Sequence, residues 1–161
     1  MEILMSGDEF IVSKTDLKGR VTYCNKYFIE ISGYEEEELL NVPHSILRHE
    51  EMPRVVFQLL WERIQGRESI NAYVKNKTKN GDYYWVFANV TASLDVNGNI
   101  IGYYSVRRKP SQKGVSEIER LYRELLDSER ESGVHGSLKL LESKLYDAGV
   151  SYDEFVIALQ R

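Results

Sequence analysis

A single cysteine, Cys24, and the lack of any run approaching the ~20 consecutive apolar residues of a membrane span set the first limits on this chain of 161 residues. The lone thiol excludes an internal disulfide framework and any all-cysteine metal site. A basic excess is also missing. Lys and Arg number 21 against 25 Asp and Glu, a net charge of −4, so no extended cationic face is available for nucleic acid. The run Met1 to Phe10 is acidic and without the basic flank of a secretory leader, which points to a cytoplasmic protein with no direct membrane insertion. Absent too are internal repeats, low-complexity tracts and usable catalytic signatures, whether nucleophile elbow, phosphate loop, paired-histidine zinc motif or Rossmann glycine string. An enzyme is therefore not expected. What is present is the composition of one globular domain, 42% hydrophobic, with enough chain to bury a core and enclose a ligand cavity.

Residue usage divides the chain near Lys109-Pro110-Ser111-Gln112-Lys113-Gly114, a linker candidate between a domain over 1–109, whose residues 1–9 form a cap segment, and a helical extension over 110–161. In the first part, Phe10 to Val12 and Arg20 to Cys24 suit strands, and Lys18-Gly19 supplies a tight turn between them. Tyr27, Phe28 and Ile31 have helical spacing, and Gly33 ends that helix. A second short helix follows at Glu35 to Leu40, its acids in the first turn. Pro53 to Gln65 predicts a longer helix with Val56, Leu59, Leu60 and Ile64 on one stripe and Pro53 in its first position. Strands follow over Ile70 to Lys77, Tyr83 to Leu94 and Ile100 to Arg107, joined by turns that both carry Asn-Gly. The sum is an α+β architecture: a five-stranded antiparallel sheet with helices packed on one face, followed by a helical C-terminal extension. That extension shows up to three amphipathic helices, broken at Ser132 to Gly136 and at Ala148-Gly149, with a capping box at Ser151 to Glu154.

The stretch Pro43 to Pro53 concentrates two histidines and an arginine between two helices, where binding groups gather on a scaffold. From Asp16 to Arg107 the chain resembles the PAS sensory domains, through Asn25, Phe28, Ser32-Gly33-Tyr34, Glu38-Leu39 and Asn80-Gly81. It is more narrowly similar to the flavin-binding PAS domains of bacterial aerotaxis receptors and stand-alone energy-taxis proteins, through Pro43-His44, Arg48-His49, Met52-Pro53, Trp61, Val74-Lys75-Asn76, Lys79 to Asp82 and Tyr84-Trp85-Val86. This resemblance implies a PAS fold and a non-catalytic cytoplasmic redox sensor that holds FAD. It also implies signalling to a methyl-accepting chemotaxis receptor, here expected on a separate polypeptide, with a homodimer competing for the same surface. A covalent flavin–cysteine photosensor is not expected, because Cys24 precedes the first helix and is not in the Pro43 to Pro53 loop.

The resemblance selects Arg48 and His49 as the flavin-binding pair, with Asn25 and Asn76 as carboxamides facing the same cavity. Arg48 suits pyrophosphate through its planar fork, Asn76 offers a donor and an acceptor to a ring edge, and Trp61 presents a stacking face. Tyr84 completes the set by strand parity. Each has a plainer reading: Asn25 as a helix cap, Arg48 paired with Glu50 or Glu51, Trp61 as core, Tyr84 as filler. If Tyr84, Val86 and Ala88 face inward, then Tyr83, Trp85, Phe87 and Asn89 form an outer aromatic face too large to leave wet, covered by a terminal helix or by the receptor. A haem-binding gas sensor with His49 or His44 as axial ligand, and a ligand-free interaction module, remain alternatives.

Overall fold

Lys18-Gly19 closes a hairpin between β1 (Ile11–Thr15) and β2 (Val21–Cys24), and Asp16 braces the turn by accepting from the Lys18 and Arg20 amides. The computed structural model describes residues 1–161. After β2 come α1 (Lys26–Ser32), α2 (Glu36–Leu39), a 3-10 turn at His44–Leu47 and α3 (Arg54–Gln65). The chain then makes β3 (Ile70–Lys77), β4 (Tyr83–Leu94) and β5 (Ile100–Arg108). All strand pairs are antiparallel, in the order β2-β1-β5-β4-β3, so the α+β architecture read from the sequence is the one found. Phe28, Leu39, Leu47, Val55 and Val56 from the helices meet Ile11, Val21 and Val86 from the sheet in one buried core.

Two local expectations change. The first strand runs to Thr15, because β1 pairs with β5 as well as β2 and its ladder extends through Thr15↔Tyr103. Pro53 stands outside α3 as its N-cap, with extended backbone angles (φ −66°, ψ 138°). The first free donors of α3 are therefore the Arg54 and Val55 amides, and the buried Glu129 carboxylate accepts from both, at 2.9 and 3.4 Å.

The extension begins at α4 (Gln112–Ala148), which breaks at Gly133, where φ 70° and ψ −172° leave the helical region. Lys144 forms an ion pair with Glu124 across this break, although twenty residues of straight helix would hold them about 30 Å apart, so the helix folds back on itself. A Cβ-bearing residue would resist that conformation at Gly133. The last helix, α5 (Tyr152–Gln160), starts with the expected capping box: Ser151 Oγ accepts from the Glu154 amide, and Glu154 Oε1 accepts from the Ser151 amide.

The parity read for β4 holds, and the extension itself covers the outer face. Trp85 lies 6.1 Å from the Tyr122 ring of α4, and Tyr73 packs on Phe87 beneath the same helix. The free edge of β3 is sealed by hydroxyls: Tyr122 Oη donates to the Tyr73 carbonyl at 2.6 Å and Tyr152 Oη to the Asn71 carbonyl at 2.8 Å. The loop finishes the seal where the His49 amide donates to the Lys75 carbonyl.

Candidate functional site: a cationic cavity beneath the sheet

A cavity of about 390 Å³ lies between the inner sheet face and α3, at the smaller end of the ~300–1,000 Å³ usual for ligand sites. Its walls are mostly apolar: Val74, Ala88 and Val90 from the sheet, with Phe57, Leu60, Trp61 and Ile64 from α3. These four side chains recur at i, i+3, i+4 and i+7 and so share one face of α3; of the stripe read from the sequence only Leu60 and Ile64 belong to it, while Val56 lies in the buried core. Trp61 is held edge-on to Tyr103, ring centres 5.3 Å apart.

The polar lining is one-signed. Lys18, Arg48 and Arg107 border the cavity, no Asp or Glu does, and none of the three cations takes part in an ion pair. This positive lining stands in a chain that has more acids than bases overall. Arg48 lies with its guanidinium 3.7 Å from the centre of the Phe57 ring, and its buried Nε has no partner. Its backbone is bridged to Asn76, so the loop and β3 move together. Burial lowers the Arg48 pKa in direction.

At the cavity floor, Arg107 on β5 is only 2% exposed and donates to Ser13 Oγ and, at 2.9 Å, to His44 Nε2, while its Nε is unpartnered. Burial pushes its pKa down to about 10. His44 is pushed down to about 3, by burial first and then by the Arg107 charge, with a smaller push from Arg48. Its imidazole is therefore neutral and presents Nε2 as an acceptor. Tyr84 is fully buried behind this group. Its hydroxyl has no hydrogen bond of good geometry, and burial raises its pKa to about 12 against the opposing pull of the Arg107 charge and the nearby Asn76 carboxamide.

The depressed His44 pKa gives a signed prediction. The unfolded chain binds this proton near pH 6.5 and the folded chain does not until about pH 3, so stability is full above pH 6.5 and falls as the pH drops toward 3. Urea titrations should lose ~2 kcal/mol of stability between pH 6.5 and 5 from this group. His49, also lowered, adds to the loss in the same direction. The His44→Gln protein, which keeps an acceptor for Arg107, should show a distinctly flatter acid limb. An unchanged limb would mean that His44 titrates normally.

Of the six residues selected from the sequence, the structure brings Arg48, Trp61 and Asn76 to the cavity and puts Tyr84 directly behind it. The other two lie elsewhere. Asn25 is the N-cap of α1: its Oδ1 accepts from the Val12 and Phe28 amides and its Nδ2 donates to the Phe10 carbonyl, which uses both acceptor sites and one of the two N–H groups of the carboxamide. His49 leaves the cavity because Arg48 is paired in extended backbone with Asn76, and the next side chain along an extended segment faces the opposite way. Its ring packs edge-on to Tyr83, 5.9 Å between centres, and Nδ1 accepts from the Glu51 amide. Burial and the nearby Lys75 ammonium lower the His49 pKa, with Glu50 and Glu51 opposing them.

The selection missed Arg107, Ser13 and Phe57. Arg107 sits in an Arg107-Arg108 pair that reads as a solvated strand end. Only its pairing opposite Ile11 and Ala88 turns it inward. His44, named from the sequence only as an alternative haem ligand, serves here as the acceptor for Arg107.

A flat aromatic ligand with acceptor atoms at one edge and negative charge matches these walls. Residues 21–107 match the PAS fold family. The chain belongs to the PAS family. This PAS domain is similar to the aerotaxis receptor of Escherichia coli strain K12, 34% identical over 134 residues, which is 83% of this chain and 26% of that protein. It is also similar to the nitrogen fixation regulatory protein of Klebsiella pneumoniae, 28% identical over 97 residues, or 60% of this chain and 20% of the relative. The chain thus spans about a quarter or less of the length of these curated relatives. Among solved structures, a light-oxygen-voltage domain from work on a flavin analogue superposes with a TM-score of 0.61 at 20% identity, over 69% of this chain and 83% of that one. That last likeness is one of fold. No helix of the PAS protein is long and apolar enough to cross a membrane.

Proposed function

We propose that this PAS protein binds FAD in the cationic cavity and reports the redox state of the flavin to a methyl-accepting chemotaxis receptor carried on another polypeptide. The observation that carries the proposal is the set of three unpaired cations around an apolar slot that contains no carboxylate. An interaction module that merely filled its cavity would leave two of these charges buried or half-buried without a counter-ion, an arrangement that costs stability unless a ligand answers it. The family relationship to the aerotaxis receptor supports flavin as that ligand.

When bound, FAD supplies reversible electron uptake at its ring. The protein does the rest. Asn76 and Arg107 would hold a polar ring edge, Phe57 and Trp61 would offer faces for the ring system and adenine, and Arg48 would answer negative charge. Asn76 sits on β3 between Lys75 and Lys77, and β3 carries Tyr73, whose carbonyl is bonded by α4. A change in hydrogen bonding at the ring edge is thereby delivered to the outer face and the extension, provided the two redox states interact differently with these groups. The half of the outer face not covered by α4 keeps Phe10, Tyr23 and Tyr104 exposed, at 52%, 47% and 38%, and is where a receptor or a second copy of the chain would sit.

Haem is the weaker reading because neither histidine is placed to serve as axial ligand. His49 faces away from the cavity, and His44 Nε2 is engaged by Arg107. The purified protein should be yellow, with flavin absorbance bands, and heat denaturation followed by chromatography should release FAD. A Soret band, or a colourless protein that stays empty in excess FAD, would overturn the proposal.

A further inference from the structure

The floor of the cavity uses Arg107 and the middle Arg48, which leaves Lys18 without an assigned task. Of the residues that line the cavity, Lys18, Pro43, Ser45 and Tyr104 are exposed; Tyr104 turns to the outer sheet face, and Lys18, Pro43 and Ser45 mark the mouth. The rim is held by backbone. The His44 amide donates to the Gly19 carbonyl at 3.0 Å, and Arg20 bridges to Pro43, which fastens the β1–β2 turn to the 3-10 turn. Gly19, at φ +82°, lets that turn lie against Trp61, since even an added Cβ would reach the indole at 3.5 Å. The one nearby acid is withdrawn. Asp16 accepts from the Lys18 and Arg20 amides and from Arg20 Nε, and these contacts keep its carboxyl below the usual range. The Lys18 ammonium is left with no carboxylate partner on the lip of a cavity that holds none.

We infer that Lys18, with the Ser45 hydroxyl on the opposite lip, is a phosphate contact at the cavity mouth, so that the site selects phosphorylated ligands over the bare ring. The inference rests on the flavin reading and deepens it. A cavity of about 390 Å³ encloses a tricyclic ring and part of its sugar chain, and the phosphates must then pass the mouth. Lysine suits that position: a strongly hydrated point charge on a flexible stem meets a mobile phosphate without fixed fork geometry.

The test measures binding of riboflavin, FMN and FAD to the full-length protein freed of its flavin, at low and at high salt. Wild type should bind FAD and FMN more tightly than riboflavin, and only the phosphorylated ligands should weaken as salt rises. Lys18→Ala should weaken FAD and FMN about three- to tenfold and leave riboflavin within twofold, while Lys18→Glu should weaken them further. Because Lys18 is exposed, both variants should fold as wild type does. Equal weakening of all three ligands, or no change for any of them, overturns the phosphate contact while leaving the flavin reading intact. A wild-type protein that binds none of the three overturns both.

Discussion

If the cavity holds flavin as proposed, Arg48→Ala should release it and leave the protein folded, whereas His49→Ala should leave it in place. The two residues are neighbours in sequence and were selected together, yet the bridge between Arg48 and Asn76 sends their side chains to opposite sides of the chain. A charge-assisted contact of the kind Arg48 would make is worth ~1.5–3 kcal/mol, or about ten- to a hundredfold in affinity. Folding has little to lose at this site, because Arg48 is unpaired and partly desolvated and holds only its stacking contact with Phe57. His49→Ala removes an edge contact with Tyr83 on the far side of β3 and touches nothing in the cavity wall. Flavin absorbance per protein after gel filtration, read beside a thermal melt, decides the matter. Loss of flavin from both variants alike would place the ligand across the loop and not beneath it.

The flavin-free Arg107→Met protein should be more stable than flavin-free wild type, and its affinity for flavin should be lower. Arg107 is a buried cation whose hydrogen-bond partners are two neutral groups, Ser13 and His44, whose guanidinium lies 4.8 Å from the Phe28 ring centre, and whose Nε is unanswered. Exchanging such a charge for an apolar side chain of similar reach commonly stabilises a protein by ~1–4 kcal/mol. His44 would not be orphaned, since Ser13 Oγ, 3.3 Å from Nε2, is free to donate once Arg107 is gone. Urea denaturation without flavin and a binding titration with it measure the two effects. A variant less stable than wild type that binds flavin normally would show that Arg107 is a structural tie between β1, β5 and the loop, with no part in holding a ligand.

Such a residue is hard to pick out beforehand for a physical reason. The sheet itself was legible, because Asn80-Gly81 and Asn97-Gly98 set the hairpins and the parity of Tyr83 to Asn89 assigned both faces of β4. Arg107 and Arg108 carry no such signal: either could point inward, and the choice follows from which residues of β1 and β4 stand opposite. The same holds for Asn25. Its type fits a cap and a ligand contact equally, and the approach of β1 to the start of α1 consumes its hydrogen bonds.

Local chemistry therefore determined much of this protein: five strands, their turns, the short helices, the amphipathic extension and the concentration of binding groups between Pro43 and Pro53. Those features follow from φ preferences, side-chain period and capping, which act over a few residues. The tertiary structure decided what faces what. It laid the first half of α4 on the aromatic face of the sheet and doubled the second half back at Gly133, set Glu129 on the first amides of α3, turned Arg48 inward and His49 outward, and left three cations around one cavity without an acid. These outcomes depend on pairings between residues far apart in the chain, whose direction no short stretch of sequence contains.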